Sequence, residues 1–140
     1  MARLPVAEEA MEKRRSIEVP GSRHTNPIPS ASRRGPILAS GGISGADPDT
    51  GAVPGDLDLQ CRFMFENVRR IMAAAGGSPE DIVKVTVWIA DRGLRETLNR
   101  HWVAMFPDPH SRPARHTMTA HDLAAPMQVQ CDILAFIGED

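Results

Sequence analysis

The C-terminal segment constrains the fold of this 140-residue chain more than any other part of it. Its residues alternate in character, and one set is entirely small or apolar: Val129, Cys131, Ile133, Ala135 and Ile137. The alternate set is mixed: Gln130, Asp132, Leu134 and Phe136. Because successive residues of a strand point to opposite faces of a sheet, the first set must lie against a core. The second set also needs partial cover, so we expect a sheet with helices on one face and an association surface on the other.

Two amphipathic segments are predicted to form the covering helices. Apolar residues recur every three or four positions from Leu57 to Ala75, and two glycines end this run. The same spacing predicts a second helix from Leu94 to Phe106, with Trp102 on its inner face and Pro107 just beyond its end. Ser78 and the residues after it predict one short capped turn between these helices.

Strand signals occupy most of the remaining chain. We expect strands at four further segments: Ser16–Val19, Gly35–Ser40, Val83–Ala90 and Ala114–His121. The glycine- and proline-rich residues 41–55 are typical of a loop, and residues 1–33 otherwise indicate an irregular, mixed-charge segment. Trp88, Leu134 and Phe136 would form an exposed apolar patch unless another chain covered them.

Length and composition narrow the class of protein. A chain of this size, 41% hydrophobic, predicts one domain. The net charge of −2 is spread over interspersed acids and bases, which argues against nucleic-acid binding. The chain lacks an apolar run of about 18 residues and an N-terminal signal-peptide pattern, so we expect no membrane partner and a cytoplasmic location.

Cysteine and histidine spacing gives no support for a metal site. Cys61 and Cys131 lie in apolar stretches without Cys-x-x-Cys spacing, which indicates core thiols in a reducing compartment and neither a disulfide framework nor a zinc site. The five histidines include no pair with helical ligand spacing beside an acid. We therefore predict no metal.

Several local strings resemble the Rid (YjgF-like) family of reactive-intermediate deaminases. They are Ala39-Ser40-Gly41-Gly42-Ile43, Asp47-Pro48-Asp49-Thr50-Gly51, the segment from Ser78 to Val87, Leu98-Asn99, and Arg112-Pro113-Ala114-Arg115. The resemblance covers residues 24–138, which we predict to be a single domain preceded by an N-terminal arm of residues 1–23.

The resemblance implies a chorismate-mutase-like α+β fold with a mixed β-sheet, two helices packed on one face, and assembly as a homotrimer with a ligand cleft between subunits. It also implies hydrolytic deamination of 2-imino acids or enamines to 2-keto acids and ammonia without a cofactor. By the resemblance, Arg115 binds the substrate. Ser40 and Gly41 line the cleft and Asn99 lies nearby, and these three with Thr117, which stands where cysteine is common, are the expected substrate-binding residues. Asp132 stands where deaminating members usually carry glutamate and is expected to be catalytic together with Arg115.

The chemistry of these side chains suits that reaction. A guanidinium binds a planar carboxylate through two parallel hydrogen bonds, which fixes the adjacent imine carbon. A carboxylate at Asp132 would orient water and move protons. Arg115, Thr117 and Thr119 share one face of their strand, and Gln130 and Asp132 share one face of theirs, so adjacency of the two strands would bring Arg115 and Asp132 together.

Other interpretations remain open from the sequence. Taken alone, Arg115 is a surface arginine paired with an acid, and Asp132 is a solvated strand aspartate. The chain has no tyrosine, unlike the family near its start, and carries aspartate for glutamate. Because of these departures, a non-catalytic protein that binds small carboxylates is the alternative. The endoribonuclease or translation-inhibitor activity attached to the family by name ranks lower, because the sequence shows no basic patch with interleaved aromatic residues.

Overall fold

The computed structural model describes residues 13–20 and 26–138 of the chain. Its strands are β1 (Arg15–Ile17), β2 (Ala31–Arg34), β3 (Ile37–Ser40), β4 (Ile43–Ser44), β5 (Ile82–Ile89), β6 (Ala114–Thr119) and β7 (Val129–Phe136). Its helices are α1 (Leu57–Ala74) and α2 (Arg95–Met105). The strands form one mixed sheet in the order β1-β2-β3-β7-β5-β6, and β4 pairs with β7. β6 runs parallel to β5, and the other pairs are antiparallel.

Helix α1 confirms the spacing observed in the sequence. Asp56 caps its first turn by accepting a hydrogen bond of 3.0 Å from the Leu59 backbone N–H. One stripe of the helix is buried, comprising Gln60, Cys61, Met64, Phe65, Val68, Ile71 and Met72. Gly76 then adopts a φ of 86°, which ends the helix because only glycine enters this region without strain.

The core lies between the helices and one face of β5 and β7. Val129, Cys131, Ile133 and Ala135 are all buried, as the alternation predicts. Cys61 meets this face from α1, and burial raises the pKa of its thiol to about 11. Burial likewise raises the pKa of the Cys131 thiol. Both cysteines are packing groups and carry the proton at neutral pH.

The opposite face of the sheet is open and partly apolar. Leu134 is 42% exposed and Phe136 is 53% exposed, although both lie in regular strand. Ile37 on the neighbouring strand β3 is 47% exposed. The sequence therefore predicts correctly that residues 13–20 and 26–138 leave one face of the sheet without a covering layer.

The N-terminal third contains more strand than the sequence patterns predict. β2 lies within the predicted irregular segment and forms a hairpin with β3, because Gly35 at a φ of 56° permits the tight turn between them. β1 forms near the predicted position and pairs with β2, and Ile17 and Val19 reach the core. β2 pairs with β1 on one side and β3 on the other, but Ala31 is the one buried residue among its four. Polar residues such as Ser32 and Arg33 therefore give β2 no apolar alternation by which the sequence could predict it. Residues 1–12 and 21–23 of the predicted arm lie outside the described residues.

Gln60 ties α1 to the start of β7. This fully buried side chain donates hydrogen bonds of 2.7 Å to the Pro54 carbonyl and 2.9 Å to the Pro126 carbonyl. Its Oε1 accepts a 2.8 Å bond from the Gln128 backbone N–H. These three bonds hold the loop before α1 and the entry to β7 against the helix.

Candidate functional site

Arg115 lies on β6, which forms one edge of the sheet. The register places it beside Val85 of β5, whose side chain is buried beneath the helices. Because residues in register on neighbouring strands share a face, the Arg115 side chain extends on the helix side of the sheet. There it meets Asn99 and Trp102 of α2.

Two residues of α2 hold the Arg115 guanidinium. Its Nη2 donates a 2.7 Å hydrogen bond to Oδ1 of Asn99. Its Cζ lies 4.9 Å from the ring centroid of Trp102, which is within the range of a cation–π contact. Nη1 is buried and has no hydrogen-bond partner among residues 13–20 and 26–138.

The Trp102 ring is itself fixed by other aromatic side chains. It packs edge-on against Phe65, with centroids 6.5 Å apart, and in a tilted arrangement on Phe106 at 4.7 Å. Only 8% of Trp102 is exposed. Arg115 therefore lies on a rigid part of the core, which limits the orientations of its guanidinium.

The charge of Arg115 is not neutralised within the described part of the chain. Burial lowers the pKa of Arg115, and the nearby charge of Arg95 lowers it further, but an arginine remains protonated at neutral pH. The salt bridges of the described residues join Asp58 to Arg100 and His101 and leave Arg115 without a carboxylate. A half-buried guanidinium that has an unused hydrogen-bond donor and no counterion among the described residues is suited to bind an anion.

Thr117 extends the same surface along β6. It lies beside the buried Val87 and shares the helix-side face with Arg115, one side-chain repeat or about 7 Å further along. The structure thus brings Arg115 and Asn99 into contact and places Thr117 on the same side of the sheet. We refer to these three and Trp102 as the arginine cluster.

Asp132 lies on the other face of the sheet, so the prediction that adjacent strands pair it with Arg115 is wrong within one chain. β5 separates β6 from β7. Val85 is in register with Arg115 on one side and with Ile133 on the other, whereas Asp132 is in register with Thr86. Strand alternation shows which residues of one strand share a face, but it does not show the order of the strands.

Ser40 and Gly41 lie at the end of β3, near β7. The Ser40 hydroxyl accepts a 2.9 Å hydrogen bond from the Ile133 backbone N–H and donates a 2.8 Å bond to the Gly41 carbonyl. Gly41 is exposed. β3 is three strands away from β6, or about 14 Å at the usual strand spacing. Ser40, Gly41 and Asp132 are therefore separated from the arginine cluster of the same chain.

The predicted site residues are in contact with two tryptophans, to which the sequence patterns assign only a packing role. Trp102 lies three residues after Asn99, and this spacing places both on one side of a helix, so helical spacing is a signal that points to their shared contact with Arg115. Trp88 donates a 3.3 Å hydrogen bond from Nε1 to Oδ2 of Asp132. No local pattern predicts that second contact, because it joins residues on different strands.

Within the described ranges, no group of three or more histidine, cysteine, aspartate or glutamate side chains could hold a metal ion. No helix in that same part of the chain is long and apolar enough to cross a membrane. The arrangement around Arg115 is suited to carboxylate binding through charge-assisted hydrogen bonds.

Comparison with known proteins gives consistent matches along most of the chain. A family model described as endoribonuclease L-PSP matches residues 24–137. A 2-iminobutanoate/2-iminopropanoate deaminase of Salmonella typhimurium is 35% identical over 100 residues, which are 71% of this chain and 77% of that protein. Its Escherichia coli counterpart is 34% identical over 100 residues, with the same coverage.

Solved structures show the same architecture. The Rid-family protein YyfA of Yersinia pestis superimposes with a TM-score of 0.82 at 25% identity, covering 89% of this chain and 100% of its own. The E. coli protein TdcF, solved with bound serine, has a TM-score of 0.77 at 27% identity, covering 89% and 97% of the two chains. The mixed sheet with two helices on one face is therefore the fold of these proteins.

Proposed function

Because this chain belongs to the endoribonuclease L-PSP family, which includes the Rid proteins, we propose that it hydrolyses reactive 2-imino acids and their enamine tautomers to 2-keto acids and ammonia. The observation that carries this proposal is the Arg115 guanidinium, which is half-buried and fixed by Asn99 and Trp102, yet has an unpaired Nη1 and no carboxylate partner among the described residues. The relatives that bear the name 2-iminobutanoate/2-iminopropanoate deaminase support the reaction class.

Each step of the reaction needs a group of the kind that the chain presents. The substrate carboxylate binds Arg115, and this contact fixes the adjacent C=N carbon. Water adds to that carbon, its proton passes to the nitrogen, and the C–N bond breaks to leave a carbonyl and ammonia. Each turnover consumes one water molecule and releases one ammonia. Because such imines already hydrolyse without a catalyst, holding the substrate beside an oriented water supplies much of the acceleration required.

We assign the orientation of this water to Asp132 and the lining of the cleft to Ser40, Gly41 and Thr117. Since Asp132 and Ser40 lie far from Arg115 in one chain, the complete site would combine the arginine cluster of one subunit with the Ser40–Asp132 region of another. The exposed apolar groups of the open sheet face, Leu134 and Phe136, support such an association. We propose a homotrimer of the 24–138 domain, with residues 1–23 as an arm, located in the cytoplasm where dehydratases release enamines.

The experiment couples the pure protein to a dehydratase that releases an enamine and follows keto-acid formation above the uncatalysed rate. We expect Arg115→Ala to lower kcat/KM by about a hundredfold, because two charge-assisted hydrogen bonds of about 1.5 kcal/mol or more each are lost. Arg100→Ala is the matched control, since this exposed arginine of α2 contacts Asp58 and not Arg115. No acceleration by the wild-type protein, or equal rates for the two variants, would remove the proposal.

A non-catalytic carboxylate-binding protein is the second candidate. It is favoured by one observation, namely that the arginine cluster is complete within one chain while Asp132 is not near it. Calorimetric binding of 2-ketobutyrate that depends on Arg115, together with no acceleration of imine hydrolysis, would support binding without catalysis.

A further inference from the structure

We propose that Trp88 is a positioning residue that holds the Asp132 carboxylate in the orientation needed to present one oxygen to the reacting water. This proposal rests on the proposed deaminase function and names a residue to which neither the sequence patterns nor the comparisons give a role. Its basis is the one side-chain hydrogen bond that Asp132 makes within residues 13–20 and 26–138, which comes from the Trp88 indole.

The geometry depends on the pairing of β5 with β7. Asp132 is directly opposite Thr86, and Trp88 is directly opposite Gln130, all on the open face. The indole therefore crosses the sheet diagonally by one side-chain repeat, within reach of a long aromatic side chain. Its Nε1 lies 3.3 Å from Oδ2 of Asp132, at the long end of the hydrogen-bond range.

Trp88 is held on both sides along its own row. Gln130 flanks it on β7 and Met118 flanks it on β6, both in register. Trp88 is half-buried there, so its ring has few alternative positions. A tethered indole restricts the rotation of the short Asp132 side chain and occupies Oδ2, which leaves Oδ1 to accept a hydrogen bond from water.

The indole cannot take over the chemical step itself. Its Nε1–H is a donor only and does not accept a proton near neutral pH. Any contribution of Trp88 must therefore pass through Asp132. For this reason a double-mutant cycle separates positioning from other roles.

The test compares Trp88→Phe, Trp88→His and the wild-type protein in the enamine assay at pH 8. Phenylalanine keeps an aromatic ring but lacks the N–H, so we expect kcat to fall about tenfold while KM changes less than about twofold. Histidine places Nε2 at the same ring position as the indole nitrogen and is largely neutral at this pH. We expect it to restore most of kcat. Val83→Thr alters an exposed residue of the same strand outside the proposed site and should leave kcat unchanged.

Two further measurements test whether Trp88 acts through Asp132 and whether the variant still binds the ligand. In an Asp132→Asn background, Trp88→Phe should have no additional effect on kcat. In Trp88→Phe, Trp102 is the remaining tryptophan, and its emission should still respond to 2-ketobutyrate because its ring lies 4.9 Å from the Arg115 guanidinium.

Several outcomes would overturn the proposal. They are a wild-type kcat in Trp88→Phe, an equal loss in the Asp132→Asn background, and no recovery in a folded Trp88→His protein. If Trp88→Phe fails to fold, the comparison of Trp88→His with Val83→Thr decides, and a large loss in Trp88→His alone rejects positioning by the N–H. A wild-type protein without deaminase activity removes the function as well, whereas an active one that tolerates Trp88→Phe removes this inference alone.

Discussion

Asn99→Asp places a negative charge where the structure now has a neutral acceptor for Arg115. Oδ1 of Asn99 accepts a 2.7 Å hydrogen bond from Nη2, so the isosteric aspartate keeps this bond and adds an ion pair. Asparagine and aspartate have similar helix propensities, and the backbone of α2 is expected to stay unchanged. The substitution therefore alters mainly the charge that the substrate carboxylate meets.

The expected magnitude follows from the exposure of the two groups. Two unit charges about 4 Å apart interact by about 4 kcal/mol at an effective dielectric constant of about 20. Asn99 is exposed and Arg115 only half-buried, so solvent screening reduces this value toward the ~1 kcal/mol typical of surface pairs. We take about 1–2 kcal/mol, which corresponds to a factor of about 5–30.

Asn99→Asp should weaken ligand binding and at the same time stabilise the fold. The Kd of 2-ketobutyrate, measured by calorimetry, should rise about 5- to 30-fold, because the internal carboxylate competes for the guanidinium. The free energy of unfolding in urea should rise by about 1 kcal/mol, because Arg115 gains a counterion. Both effects should shrink as salt is raised from about 0.1 M to 1 M.

Asn99→Ala is the matched control, since it removes the acceptor without adding charge. It should weaken binding by less than Asn99→Asp and lower stability slightly. Unchanged ketobutyrate affinity in Asn99→Asp, or a loss of stability in that variant, would refute the view that Arg115 is an unneutralised carboxylate site.

Two further predictions concern stability. In Gly45→Ala the added Cβ would lie 2.3 Å from the backbone carbonyl oxygen of Gln60, whereas in Gly55→Ala it would meet nothing within 4 Å. We expect the free energy of unfolding in urea to fall by about 3 kcal/mol in Gly45→Ala and to stay within about 1 kcal/mol of wild type in Gly55→Ala. Equal values for the two variants would contradict the packing at Gly45. Burial raises the pKa of the Cys61 thiol from 9.0 to about 11, so the unfolded chain loses this proton at a lower pH than the folded protein does. The stability that the protonated thiol contributes is present below pH 9 and is lost as the pH rises to 11. The loss amounts to about 3 kcal/mol at most. Cys61→Ala should show a shallower decline over the same pH range in urea titrations, and an unchanged slope would show that Cys61 is not buried in the folded protein.

The amino-acid sequence by itself determined the elements that repeat over short distances. The stripe of α1 and the alternation of β7 follow from local periods of about 3.6 and 2 residues, and the structure agrees with both. The exposed patch at Leu134 and Phe136 is predicted in the same way. Arg115 and Asn99 are identified as site residues by the family strings in the sequence, but their contact with each other is seen in the structure.

Only the tertiary structure decided which of these residues meet. β5 separates β6 from β7, and the register of these three strands places Arg115 and Asp132 on opposite faces of the sheet. No pattern within either strand contains this information. Strand order, register and the contact of Trp88 with Asp132 depend on pairings between residues distant in the chain. Such pairings are chosen by the packing of the whole sheet against α1 and α2, which is why local periodicity predicts the elements but not the site.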